Sequence, residues 1–153
     1  SKIDNNINRR IRLSLANMYL AEHQDKAIVE YERLMNVIPN NVVALNNLSW
    51  LYMDQGKFAQ ALQYSTQAYS LTTKIPNVVD TYAQALLKSD KKVEALVKAQ
   101  EAYKLSKGKD IDIALNLAEA LLANNKNKEA KLILNDINAV TVKQKEKKQR
   151  LLK

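Results

Sequence analysis

At 153 residues the chain is long enough for one domain of ordinary size, burying roughly 70% of the surface its unfolded form exposes. Two glycines, two prolines and an abundance of Ala, Leu, Lys and Gln favour an all-α fold, and the absence of cysteine excludes disulfides, thiolate metal sites and cysteine nucleophiles. The net charge of +8 gathers at the ends, with four basic residues against Asp4 in residues 1–12, six against Glu146 in residues 143–153, and balanced charge between. A nucleic-acid groove needs basic residues aligned along the binding surface, because phosphate contacts dominate affinity. The repeat body lacks that excess, so nucleic acid is not an expected partner. No apolar run approaches the roughly 20 residues that a membrane-spanning helix needs.

Residues 1–6, SKIDNN, are polar and without periodicity, and read as a lead-in whose Asp4, Asn5 and Asn6 suit the cap of a following helix. Ile7, Ile11, Leu15 and Met18 mark one face of a first helix over about 7–22, which breaks at His23-Gln24. A second helix, about 25–37, carries Ala27, Ile28, Tyr31, Leu34 and Met35 and stops before Pro39, which lacks an amide proton. The stretch 42–75 repeats this plan. Leu45, Leu48, Ser49 and Tyr52 form one helical face, Gln55-Gly56 break the period, and Phe58, Ala61, Leu62, Ser65 and Ala68 form a second.

A third hairpin starts at Pro76, a favoured first-turn residue. It runs through Val79, Tyr82, Ala83 and Leu86, turns at Ser89-Asp90-Lys91, and returns through Val93, Ala95, Leu96, Ala99 and Ala102. Gly108 is placed as the left-handed residue beyond that helix. The fourth hairpin begins at Asp110 with Ala114, Leu117, Ala118 and Leu121, turns at Asn124-Asn125-Lys126-Asn127, and returns through Ala130, Ile133, Leu134 and Ile137. From Thr141 a basic C-terminal helix, residues 141–153, shows only Val142, Leu151 and Leu152 as apolar anchors.

Ala27, Ala61, Ala95 and Ala130 stand 34, 34 and 35 residues apart, and Tyr19, Tyr52, Leu86 and Leu121 step by 33, 34 and 35. A 34-residue period with two helices per unit is the tetratricopeptide (TPR) pattern. The chain resembles TPR repeats over about residues 8–140, in units of about 8–41, 42–75, 76–109 and 110–140. Leu48, Ser49, Tyr52, Gly56, Phe58, Ala61 and Ala68 occupy the family's signature places in the second unit. The first unit matches through Leu15, Ala16, Tyr19, Ala27, Tyr31 and Pro39, with an inter-helix turn one residue short. The resemblance implies a right-handed α-α superhelix of four TPR hairpins with a C-terminal capping helix. The small residues Ala16, Ser49, Ala83 and Ala118, and their partners Ala27, Ala61, Ala95 and Ala130, let the paired helices approach closely.

The run NNLSWLYMDQGKFAQALQYSTQAYSL, with NVVDTYAQALLKSDKKVEAL and LNLAEALLANNKNKEAKLIL after it, is also similar to the C-terminal repeats of TPR-repeat lipoproteins associated with the PEP-CTERM/exosortase system of Gram-negative bacteria. That resemblance implies a longer periplasmic parent, lipid-anchored at an N-terminus outside this sequence and working with exopolysaccharide production or surface-protein sorting. The lack of a polar helix ahead of Arg9 fits a piece of a longer array.

In TPR domains the first helix of each hairpin lines a concave groove, and the resemblance assigns groove positions residue by residue. They are Arg10, Leu13, Asn17 and Leu20 in the first unit, and Asn46, Asn47, Trp50 and Met53 in the second. The third unit offers Asn77, Asp80, Gln84 and Leu87, and the fourth Asp112, Leu115, Asn116, Glu119 and Leu122. Trp50, the only tryptophan, is either an aromatic anchor of the kind interfaces favour or a packing residue between hairpins. Asn17 and Asn47 match the asparagines that TPR chaperone adaptors set against a peptide carboxylate. Leu13, Asn77 and Thr81 stand where that clamp needs basic side chains, so carboxylate capture lacks its charge.

His23, the only histidine, has just Glu22 and Asp25 nearby, and reads as an exposed loop residue rather than a metal ligand. Glu30 and Glu32 read as solvated. No catalytic or nucleotide-binding motif occurs, so neither an enzyme nor a cofactor is expected. The expected function is a non-catalytic scaffold, monomeric or weakly dimeric, that binds a protein or peptide in the groove. The alternatives are a purely structural segment of a longer array and a polyanion-binding module using the basic C-terminal helix.

Overall fold

The computed structural model describes residues 2–153, and for residues 2–5 the backbone alone. Nine α-helices and no strand occur among the described residues: α1 (Lys2–Tyr19), α2 (Gln24–Val37), α3 (Val42–Asp54), α4 (Phe58–Leu71), α5 (Pro76–Lys88), α6 (Lys92–Leu105), α7 (Ile111–Ala123), α8 (Asn127–Asp136) and α9 (Val142–Leu152). They divide into two compact units, one ending at Thr72 and the other spanning Thr73–Lys153.

The first unit holds the hairpins α1/α2 and α3/α4. Its core gathers Ala16, Ala27, Ile28, Tyr31, Leu34, Ala44, Leu48, Leu51, Tyr52 and Ala61. Ala16, Ser49, Ala27 and Ala61 are all fully buried, and Ser49 satisfies its buried hydroxyl by donating to the carbonyl of Ala61 at 2.7 Å. That bond needs the two backbones of α3 and α4 close together, which is what the small residues permit. Asn41 caps α3 by accepting from the Ala44 amide at 2.9 Å. The rings of Tyr52 and Tyr64 stack at 5.6 Å, and Tyr52 donates to Glu32 at 2.6 Å.

The second unit holds α5/α6, α7/α8 and α9. Pro76 opens α5. The Asp110 carboxylate caps α7 by accepting from the amides of Asp112 and Ile113 at 3.0 and 3.1 Å. Thr141 and Gln144 form a capping box on α9. Ala83, Leu96, Ala99, Leu117, Leu121 and Ala130 make one core cluster, and Ala114, Leu115, Ala118, Leu134 and Ile137 a second.

Three of the inter-helix turns share one device. Gly56, Asp90 and Asn125 take φ of 73°, 61° and 61°. The lysine after each donates its amide back into the preceding helix, Lys57 to Tyr52, Lys91 to Leu86 and Lys126 to Leu121, at 2.8 to 3.0 Å. Gly108 closes α6 at φ 68°, as its position predicts.

The structure departs from the sequence reading at several places. The lead-in expected over residues 1–6 is helical from Lys2, because KIDNN contains no proline or glycine to stop α1 extending; Ser1 lies outside the described residues. Helix α1 ends at Tyr19 rather than near residue 22. One residue fewer separates Tyr19 from Ala27 than Tyr52 from Ala61, so the chain must leave the helix earlier to reverse. Glu30 is buried rather than solvated, because Arg12 of α1 reaches it at 3.1 Å and Arg33 at 2.7 Å. Of the three apolar anchors of α9, only Leu151 packs on the core, while Val142 is 72% and Leu152 42% exposed.

Candidate functional site

The positions assigned to a groove fall in two sets, one in each unit. In the first unit, α1 and α3 are wired together by a buried tyrosine of α2. Tyr31 donates to Asn17 Oδ1 at 2.6 Å, and Asn47 Nδ2 donates to the Tyr31 oxygen at 2.8 Å. Burial raises the Tyr31 pKa, against the lowering effect of the Asn47 hydrogen bond, so the phenol stays neutral and keeps its donor. Both asparagines are fixed by this network. Trp50, one turn beyond Asn47 on α3, is 38% exposed. Asn46 is half-buried and its Oδ1 is out of solvent with no partner among the described residues. Leu13, Leu20 and Met53 are partly buried against the core, and Arg10 is exposed.

In the second unit the assigned positions meet α9. Asn116 of α7 donates to Asp80 Oδ2 of α5 at 2.7 Å, and its own Oδ1 accepts from Lys147. Glu119, one turn further along α7, takes Lys147 at 2.7 Å and Arg150 at 3.6 Å, with Lys88 of α5 at 4.0 Å. Gln144 donates to Asp112 at 3.2 Å, and Lys148 to the Ile137 carbonyl at 2.6 Å. Burial works to raise the pKa of Glu119, but Lys147, Lys88 and Arg150 outweigh it and hold the carboxyl below its usual range. Asp80 goes the other way. Burial pushes it up to about 7, despite the Asn116 hydrogen bond and the Lys147 charge. Asp80 Oδ1 and Gln84 Nε2 are buried without a partner among the described residues.

Four of the assigned positions therefore do not present themselves to a ligand as the resemblance implies. Leu115 is 1% exposed and lies in the cluster that Leu151 packs against, so it is core. Asp112, Asn116 and Glu119 are engaged by α9. Leu87 and Leu122 pack on the other core cluster of this unit, and Asn77 is exposed with its carbonyl accepting from Thr81 at 2.8 Å. Two of the tail's cations, Lys147 and Lys148, face the protein, and Arg150 reaches Glu119 from an exposed position, which leaves the polyanion reading with fewer of the charges it counted on. His23 is exposed beside the edge of the Tyr19 ring.

Sequence reasoning missed Tyr31 as the link between the two asparagines, and it missed the inward stripe Gln144, Lys147, Lys148 and Leu151. The stripe's spacing of three, one and three is helical and was legible. Its residues are polar, so a search for apolar periodicity passes over them.

No family model and no curated protein matches the sequence. Solved structures do match. The MamA protein is similar over 95% of this chain and 73% of its own, with 20% identity and a TM-score of 0.70. The first TPR domain of Spaghetti (RPAP3), in a structure with an HSP90 peptide, is similar over 77% of this chain and 96% of its own, with 21% identity and a TM-score of 0.70. The Thermobaculum terrenum O-GlcNAc transferase is similar over 76% of this chain, with 18% identity and a TM-score of 0.72, and the chain spans only 22% of it. The fold is the all-α tetratricopeptide-repeat fold.

Proposed function

We propose that the chain is a non-catalytic protein-interaction scaffold whose first unit receives an extended peptide or a protein segment on the face carrying Asn17, Asn47 and Trp50. The observation that carries this reading is the Asn17–Tyr31–Asn47 network. It spends the Oδ1 of Asn17 and the Nδ2 of Asn47, and leaves an amide donor on one and a carbonyl acceptor on the other to pair with a peptide backbone. Trp50 beside them adds a large apolar surface at low entropic cost. Support also comes from the fold shared with a TPR domain described as bound to an HSP90 peptide.

The mode differs from carboxylate capture. Leu13, Asn77 and Thr81 supply no cation where such a clamp would need one, so the peptide is held along its backbone rather than by its C-terminal charge. The resemblance of NNLSWLYMDQGKFAQALQYSTQAYSL and the two runs after it supports a place in PEP-CTERM protein export or exopolysaccharide production, with a lipid-anchored periplasmic parent.

The test is a pull-down from a Gram-negative periplasmic extract with the wild-type chain and with Trp50→Ala, each shown by circular dichroism to be folded. Trp50→Ala leaves the Tyr31 network in place, so a protein retained by the wild type and lost from the variant assigns the face. Equal retention by both, or retention by neither, defeats the reading in favour of a structural segment.

A further inference from the structure

We propose that the polar face of α7, with Asp80 of α5 beside it, is a receptor for a basic helical segment of a partner protein, and that α9 is the intramolecular occupant which such a segment displaces. This stands independently of the reading for the first unit.

The chemistry of the occupant is on display. Helix α9 carries five basic residues and one acidic residue over Val142–Leu152. It turns Gln144, Lys147, Lys148 and Leu151 inward, and its contacts are those of a ligand: an amide on Asp112, an ammonium shared by Asn116 and Glu119, and a guanidinium on Glu119. A helix that merely closed a repeat stack would bury an apolar stripe. Here a single leucine does so, and the remaining hold is electrostatic, with Arg150 largely in solvent where salt screens it. The segment joining α8 to α9 has no regular structure; Ile137 and Ala139 pack on the core cluster and Val140 is exposed. The capping box at Thr141 and Gln144 satisfies the N-terminus of α9 from within its own residues. Apart from Leu151, and Ile137 and Ala139 just ahead of the helix, charge and hydrogen bonds to polar groups tie α9 down.

A second observation shows that α9 does not fill the face completely. Asp80 Oδ1 and Gln84 Nε2 remain buried and unpaired among the described residues, and native structures pair nearly all such groups. The lysine at 147 offers a compact ammonium, already shared between Asn116 and Glu119. An arginine at that place brings five donors in a planar fork, enough to serve Glu119 and reach toward Asp80 as well. The preferred partner is thus a basic helix with arginine at the position of Lys147.

The test uses the full chain and fluorescein-labelled synthetic peptides of residues 141–153, unchanged or with Lys147→Arg, read by fluorescence anisotropy at low and high salt. In the chain variant Lys147→Glu/Arg150→Glu, like charges at Glu119 drive α9 off the face. The expected result is at least tenfold tighter binding of the unchanged peptide to this variant than to the wild type, tighter still for the arginine peptide. Binding should be lost in high salt and on adding Glu119→Lys to the chain. Amide exchange over residues 142–152 and circular dichroism report whether α9 has left a folded protein. The proposal is overturned if α9 leaves and the peptide does not bind, or if α9 stays docked despite the charge reversal. It is equally overturned if the variant forms a dimer that excludes the peptide, because the occupant is then a second copy of this chain.

Discussion

The three inter-helix turns that share a left-handed residue pay for it differently. An L-residue with a side chain loses roughly 1–2 kcal/mol in that conformation, glycine loses nothing, and Asn and Asp are the best tolerated of the rest. A Cβ on Gly56 meets nothing within 4 Å, so the cost of Gly56→Ala is backbone strain alone. Gly56→Ala should destabilise by roughly 1–2 kcal/mol, whereas Asn125→Gly should change stability by less than about 0.5 kcal/mol, since relief of strain is offset by a more flexible unfolded chain. Urea midpoints of the two variants check this, and equal losses would show that the turn is not held in the left-handed region. Ala61 poses a different constraint. It is fully buried, and its carbonyl receives Ser49 Oγ at 2.7 Å. Ala61→Leu must push α3 and α4 apart and break that bond, so a loss of roughly 1–3 kcal/mol is expected in the same measurement.

Elements whose register depends on small and apolar residues were legible from the sequence. The recurring alanines at 27, 61, 95 and 130 are all buried, and the boundaries of α2 to α8 follow Pro39, Asn41, Pro76, Asp110 and the turn residues. What depends on polar partners far apart in sequence was not. Nothing local tells Glu30 that Arg12, on another helix, will reach it, and nothing in KQKEKKQRLLK says which cations will find Glu119. Helix α9 is therefore the element to test. Glu119→Gln removes the charge that Lys147 and Arg150 share while keeping the side chain's shape. Hydrogen bonds to charged groups contribute on the order of 1.5–3 kcal/mol, so amide exchange over residues 142–152 should quicken at least tenfold while α8 changes little. Raising the wild type to 1 M NaCl should move it the same way. Unchanged protection under both conditions would mean that Leu151, not charge, holds α9.

For the whole molecule, the half-buried Asp80, whose Oδ1 is out of solvent, makes folding depend on pH in a direction opposite to most paired carboxylates. Its carboxyl is pushed up to about 7 by burial, against an ordinary value of 3.8. Between those values the folded chain holds a proton that the unfolded chain has released, so the group's contribution to stability is complete at low pH and is lost as pH rises through about 7. Glu119 works in the other sense. Its folded pKa is lowered, so its contribution is present above the usual carboxylate range and fades only when the pH falls below it. From pH 5 to pH 8 Asp80 therefore dominates this pair. At about 1.4 kcal/mol per pKa unit, the chain should lose on the order of 2–3 kcal/mol over that interval. Asp80→Asn keeps an oxygen to accept from Asn116 but cannot ionise, so it should flatten the dependence and be the more stable protein at pH 8. Denaturant melts at pH 5 and pH 8 followed by circular dichroism decide it, because the lone Trp50 sits in the other unit and reports on that unit instead. A wild type that gains stability toward pH 8, or an Asp80→Asn variant that tracks it in parallel, would show that Asp80 stays ionised in the fold. Lys147 would then be a stronger partner for it than the Asn116 bridge suggests.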